Sequence, residues 1–375
     1  SRELRIAAQL FQPGPEGDIA IEQLRLDSDP LQVEAGGVIS REGERRKIEV
    51  QGRMTPALER LSDVLREGFG IDLRLAGGQG ESFLAQYLPA SDSSEEQGAF
   101  SLVTSLHADR FEYEGIAVRS LHLPISLENG ALHLEGTAQA DEGKVDLIVD
   151  TDLTAVPPVI TIPANSQILT GFPLQRPLVD LLLSGQHPLF GVLADPAAQF
   201  DLRFNSFSWP LESVQSKSAS VATVIDLREI TLESNDFLRQ ILSLFGLEKE
   251  KIGFIDNELA CTTEEGKVTC PPVRLRVGDA EMSVSGAMGL DGTLNYLLEV
   301  PWTGKLVNEE GLRLRRGVTV RVPVRGTKSA PVFDRDKTLA VIRDLLQQAA
   351  SKLKQEKERK PSSLPPDKTI PAEKG

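Results

Sequence analysis

Turn dipeptides recur in this chain between runs of alternating apolar and polar residues: Asn129-Gly130, Glu142-Gly143, Glu265-Gly266, Gly278-Asp279 and Asp291-Gly292. Gly and Asn accept the positive φ that a tight hairpin turn demands, so each pair marks a reversal between antiparallel strands. The register tests this reading. A two-residue loop at 129–130 sets Leu127 against Leu132 and Ile125 against Leu134, with Ser126 and His133 on the other face. The loop at 142–143 sets Ala140 against Val145 and Ala138 against Leu147, keeping the same apolar side. The loop at 278–279 pairs Leu275 with Met282 and Val273 with Val284. At Asp291-Gly292 a two-residue loop puts Met288 on the wrong side. A three-residue loop, 291–293, pairs Leu290 with Leu294, Met288 with Tyr296 and Val284 with Val300. A slip of one residue inverts every side chain, so the apolar match selects the longer loop.

Strand runs of this kind cover about 17–52, 100–160 and 198–302, with a further pair near 312–325. Four helices interrupt or close them. Thr55 and Pro56 open the first, with Leu58, Leu61 and Leu65 on one face. The second runs from Pro177 to Leu183 and stops at Gly185. The third starts near Ser234, carries Phe237, Leu238, Ile241, Leu242 and Phe245, and ends at Gly246. The fourth starts at Asp334 or Asp336 and places Leu339, Ile342, Leu346, Ala349 and Leu353 on one stripe. No βαβ alternation or glycine fingerprint is present, which argues against a doubly wound fold. The expected fold is mainly β with a few helices: one long, curved, helix-capped antiparallel sheet.

The 375 residues carry 41 Lys and Arg against 55 Asp and Glu, a net charge of −14 that disfavours a nucleic-acid partner. No run of 18 apolar residues exists to cross a bilayer as a helix. The chain opens on Ser1 rather than Met, as a processed protein or a piece of a longer one does. Its end, residues 351–375, is basic, and from Pro361 onward it has the composition of a disordered tail.

Cys261 and Cys270 are equidistant from the Glu265-Gly266 turn, so the hairpin sets them directly opposite each other. Counting outward, they occupy a non-hydrogen-bonded pair, where Cα atoms approach to about 4.5 Å, inside disulfide range. A bond there implies an oxidising compartment, the bacterial periplasm or outside the cell. The alternative is a pair of reduced cysteines acting as small apolar residues.

Reaction chemistry is not visible. His122 and His133 fall on the polar face of one hairpin, His187 stands at a helix exit, and His107 stands alone. Neither a Ser/His/Asp set nor a metal-ligand spacing is present, and Gly77-Gly78-Gln79-Gly80 lacks the Lys of a phosphate loop. Trp209 and Trp302 read as packing or rim residues. The expectation is a protein without enzymatic activity, cofactor or metal.

Two stretches carry a family resemblance. One is "NGALHLEGTAQADEGKVDLIVDTDL", residues 129–153. The other is "FIDNELACTTEEGKVTCPPVRLRVGDAEMSVSGAMGLDGTLNYLLEV", residues 254–300, with its closing V-S-G-x-x-G-L-D-G-T-L-x-Y pattern. With them, the region 100–325 resembles the C-terminal part of the AsmA-like proteins of the bacterial envelope. The resemblance implies a half-pipe of β-strands, apolar inside, along which the acyl chains of phospholipid or glycolipid pass between membranes. It also implies a periplasmic setting, a membrane anchor preceding the chain, and other envelope proteins as partners. The division it suggests is an upstream β-rich segment at 1–99, the groove at 100–330, an amphipathic helix at 334–360 and the tail at 361–375. The candidate groove lining is Leu123, Ile125, Leu127, Leu132, Leu134, Val145, Leu147, Val273, Leu275, Met282, Val284, Tyr296 and Leu298. The competing expectation is a structural or chaperone-like module whose strand edges pair with outer-membrane proteins during assembly.

Overall fold

The alternating runs form strands, and all the pairings are antiparallel, most of them between strands adjacent in sequence. The computed structural model describes residues 4–12, 17–43, 45–90, 98–192, 198–211, 217–228, 231–232, 236–247, 252–301 and 319–359. Trp302, Ser234, residues 312–318 and the 361–375 tail lie outside these. The described residues form one sheet of 22 strands. The sheet opens with β1 (Arg5–Phe11), β2 (Ile19–Asp27), β3 (Leu31–Glu42) and β4 (Arg45–Pro56). It continues after a helix with β5 (Leu73–Ala76), β6 (Glu81–Leu88), β7 (Ala99–Tyr113), β8 (Ile116–Glu128), β9 (Ala131–Gln139) and β10 (Lys144–Asp152). Then come β11 (Val159–Ile162), β12 (Ser166–Pro173), β13 (Gln199–Pro210), β14 (Ser220–Arg228) and β15 (Thr231–Leu232). The last seven are β16 (Ile252–Phe254), β17 (Glu258–Glu264), β18 (Lys267–Val277), β19 (Ala280–Gly289), β20 (Leu294–Pro301), β21 (Thr319–Thr327) and β22 (Ala330–Phe333).

Some strands are halves of one line. β5 and β6 share an edge of β7. β11 and β12 together bridge β10 to β13. β14 and β15 face β17 and β16, which both lie against β18. Bulges interrupt the β1–β2, β2–β3, β8–β9, β12–β13, β13–β14 and β18–β19 ladders. Each bulge adds local bend and twist, which curves the sheet. The ladder runs unbroken across residue 99 through the β6–β7 pairing.

The turn chemistry fixes most registers as expected. Leu127 faces Leu132 and Ile125 faces Leu134; Val273 faces Val284 and Leu275 faces Met282. Two hairpins differ. Val145 faces Ala138, and Leu147 faces Gly136, because residues 140–143 form a four-residue loop closed by the Ala140 N–H on the Gly143 carbonyl. Met288 faces Leu294, and Val284 faces Leu298, because the turn spans Gly289–Thr293 and is held by the Asp291 carboxylate on the Thr293 N–H. Both slips are of two residues, so every side chain stays on its expected face.

The helices also form near their expected places. α1 is Leu58–Phe69, starting after Thr55 and Pro56 rather than at them. Those two residues still pair with β3, so the ladder outcompetes the cap. α2 is one α-helical turn, Arg176–Leu178, continued by a wider turn at Val179–Leu183, and a short helical turn follows at Pro188–Val192. α3 is Asp236–Ser243 and α4 is Arg335–Arg359. The Asp334 carboxylate caps α4 by accepting the Lys337 N–H at 2.9 Å.

The core lies almost wholly on one side of β12. Phe172, Leu178, Val179, Leu183, Phe190, Phe200, Ile225, Leu238, Ile241, Leu242 and Phe245 form one buried cluster with the inner faces of β18 to β21. This overturns part of the expected groove. Val273, Leu275, Met282, Val284, Tyr296 and Leu298 are core residues, covered by α2, α3 and the turns between α2 and β13. N-terminal to β12 the same apolar face is largely uncovered. Among the described residues only α1 crosses it, burying Leu58, Leu75 and Ala108 with Leu61, Leu106 and Leu121 packed around them.

Candidate functional site

The uncovered face is best followed across the strands. Direct partners on adjacent strands point the same way, so a row of partners is a row of side chains. One such row is Leu10, Ile21, Gly37, Val50, Ala85, Leu102, Leu127, Leu132, Thr151, Ile160 and Trp209. Every member is apolar, glycine or threonine. It crosses ten strand-to-strand steps, roughly 48 Å at about 4.8 Å per step. Gly37 belongs in this row for a steric reason, since a Cβ there would lie 2.1 Å from the Glu49 carbonyl oxygen.

A second row, Thr104, Ile125, Leu134 and Val149, runs beside it. A third carries Leu106 with Leu123, and Gly136 with Leu147. Leu123, Ile125, Leu127, Leu132, Leu134 and Leu147 are all half-buried, sharing one apolar lane open to solvent. Val145 stands where the lane meets the core, opposite Ala138 on β9 and Leu169 on β12. The lane ends at β13 in stacked aromatics, with Phe207 and Trp209 ring centres 6.3 Å apart.

Moving one residue along each strand reverses the chemistry. The outward row is Gln51, Leu84, Val103, Ser126, His133, Asp150, Thr161, Ser208 and Ser220. All but Leu84 and Val103 are polar. His133 Nδ1 sits 2.7 Å from Asp150, and that hydrogen bond raises the imidazole pKa above its usual value.

The histidines hold what the sequence reading missed. His107 is not alone. It faces His122 directly across β7–β8, the ring centres are 4.1 Å apart, and its Nδ1 lies 2.5 Å from Glu81. Burial pushes the Glu81 carboxyl up, but hydrogen bonds from Ser105 and His107, with the nearby imidazole charge, outweigh it and hold it below the usual range. The signal was present in Glu114-Gly115, both at positive φ, whose turn sets 107 opposite 122. His187 is fully buried, with its Nδ1 accepting the Leu189 N–H, and burial pushes its pKa down to about 3. Among the described residues no three His, Cys, Asp or Glu side chains converge to hold a metal ion.

Cys261 and Cys270 are bonded across β17–β18, with Cα atoms 4.3 Å apart and the flanking Thr262–Thr269 pair in the expected register. No described helix is long and apolar enough to cross a membrane. No family model matches the chain, and neither a curated protein nor a solved structure shows significant similarity to it.

Proposed function

We propose that this chain is a lipid-binding or lipid-conducting segment of a cell-envelope protein, holding acyl chains in the apolar lane that crosses β1 to β13. The observation that carries the reading is the continuous row from Leu10 to Trp209, half-buried or exposed except at Ile21 and Thr151, while the C-terminal part of the same face is filled by helices. An antiparallel sheet with one apolar face must cover it with itself, with helices or with a guest. Each methylene transferred from water to such a surface contributes about 0.8 kcal/mol without directional bonds, so a chain is held yet free to slide. At roughly 48 Å the lane is longer than a bilayer's hydrocarbon core of about 30 Å. The AsmA-like resemblance of residues 100–325 points the same way, and the disulfide suits a periplasmic setting.

The test is lipid extraction and native mass spectrometry of the purified chain, with Ile125→Asp and Leu134→Asp combined. The expected result is co-purifying phospholipid or glycolipid that the double variant loses, with strand content unchanged. A lipid-free protein, or retention in the double variant, defeats the proposal. One observation favours a second reading, an assembly module acting through strand pairing. Among the described residues β1 pairs on one edge alone, with β2, and its Ile6 and Leu10 are 63% and 57% exposed. Capture of unfolded β-barrel chains by lipid-free protein selects that reading.

A further inference from the structure

A second apolar space lies away from the lane, inside the C-terminal half. It is a cavity of about 380 Å³ between α3, the Pro188–Leu189 turn and β19 to β22. Phe237 and Leu238 of α3 form one wall, and Val284, Tyr296 and Leu298 form the other. Its volume sits at the small end of ligand sites, roughly 300–1,000 Å³, which suits one hydrocarbon chain and not two.

Two polar features then define the guest. Tyr296 is only 4% exposed, and its hydroxyl has no hydrogen-bond partner among the described residues. Buried polar groups are nearly always paired, so this one is an unmet donor. As folded it is sealed from water, and an acceptor reaches it only as neighbouring wall side chains move aside. The rim carries one cation, Lys328, exposed and without an ion-pair partner among the described residues, beside Ser329. Among the described residues no acidic side chain lines the space. His187, edge-on to the Tyr296 ring at 5.0 Å, adds an imidazole whose Nδ1 is already an acceptor for Leu189.

We propose that this cavity binds a single-chain anionic amphiphile. Its hydrocarbon chain lies between Leu238, Val284 and Leu298, its charged head meets Lys328, and an oxygen at the head end accepts the Tyr296 hydrogen bond. The site shares no residue with the lane and stands whether or not the lane carries lipid. A free fatty acid and a monoacyl phospholipid offer this same chemistry.

Calorimetric titration of the full chain carrying Ile125→Asp and Leu134→Asp, which disables the lane, with palmitate, with lysophosphatidylglycerol and with diacyl phosphatidylglycerol tests it; the site variants are made in the same background. The expected result is one site per chain for palmitate, lysophosphatidylglycerol or both, which also identifies the source, and none at this site for the diacyl lipid. Lys328→Glu weakens binding at least tenfold. Tyr296→Phe weakens it several-fold while the melting temperature stays level or rises, which separates a lost donor from a damaged fold. Absence of binding, equal binding of the diacyl lipid, or unchanged affinity in either site variant overturns the assignment and leaves the lane's own test untouched.

Discussion

Single side chains here respond to acid in opposite senses. His187 is neutral in the fold, with its pKa pushed down to about 3 by burial, against 6.5 for a free imidazole. A depressed group stabilises above its unfolded pKa and loses that contribution as pH falls. Stability therefore drops between pH 6.5 and about 3, by up to about 1.4 kcal/mol per pH unit. Urea unfolding across this range measures it, and His187→Leu flattens that limb. His133 behaves in reverse. Its pKa is raised by the bond to Asp150, so its contribution is complete below 6.5 and is lost as pH rises through the folded value. Both partners are about half exposed, so the effect on stability is small. It is visible instead by NMR, where the His133 midpoint lies above an ordinary imidazole and Asp150→Asn brings it back.

At the scale of elements, the hairpin of β17 and β18 carries a covalent tie between residues nine apart. Closing so short a loop contributes about 2–3 kcal/mol. Replacing both Cys261 and Cys270 by Ser lowers unfolding free energy by about that amount, and thiol titration of the denatured, unreduced parent finds no free thiol. This tie was legible because one turn dipeptide fixed the register around it. The same logic was incomplete elsewhere. Alternation determines which face a side chain takes, but a slip of two residues leaves every face unchanged. The Val145–Ala138 and Met288–Leu294 pairings thus depended on loop length, set by hydrogen bonds at Gly143 and Asp291 that the apolar pattern does not contain. The His107–His122 contact went unread for a simpler reason. Glu114-Gly115 is also a turn pair, and following it out was enough to find the two rings.

Across the whole molecule, what covers the sheet is the property that alternation hides. Leu123, Ile125 and Leu127 read along the chain much as Val273, Leu275 and Val277 do, yet the first three are half-buried and the last three are core. The difference lies in distant segments, since α2, α3 and the Pro188–Val192 turn all fold onto the C-terminal half while, among the described residues, α1 alone crosses the other. It makes a sharp prediction. Leu275→Asp, placing a charge among closed-packed side chains, abolishes cooperative unfolding or costs several kcal/mol. Ile125→Asp on the open lane costs less than about 1 kcal/mol. Thermal melts of the two variants side by side decide it, and equal losses show that both halves are equally filled.

Because, among the described residues, each strand line hydrogen-bonds only to the lines before and after it, the sheet is additive in the way a ladder is. Deleting β1 and β2 takes two rungs from one end and leaves the register of every other pair intact. Reach in such a molecule is a matter of copy number: each hairpin inserted or lost changes its span by roughly 10 Å, with no redesign of the rest.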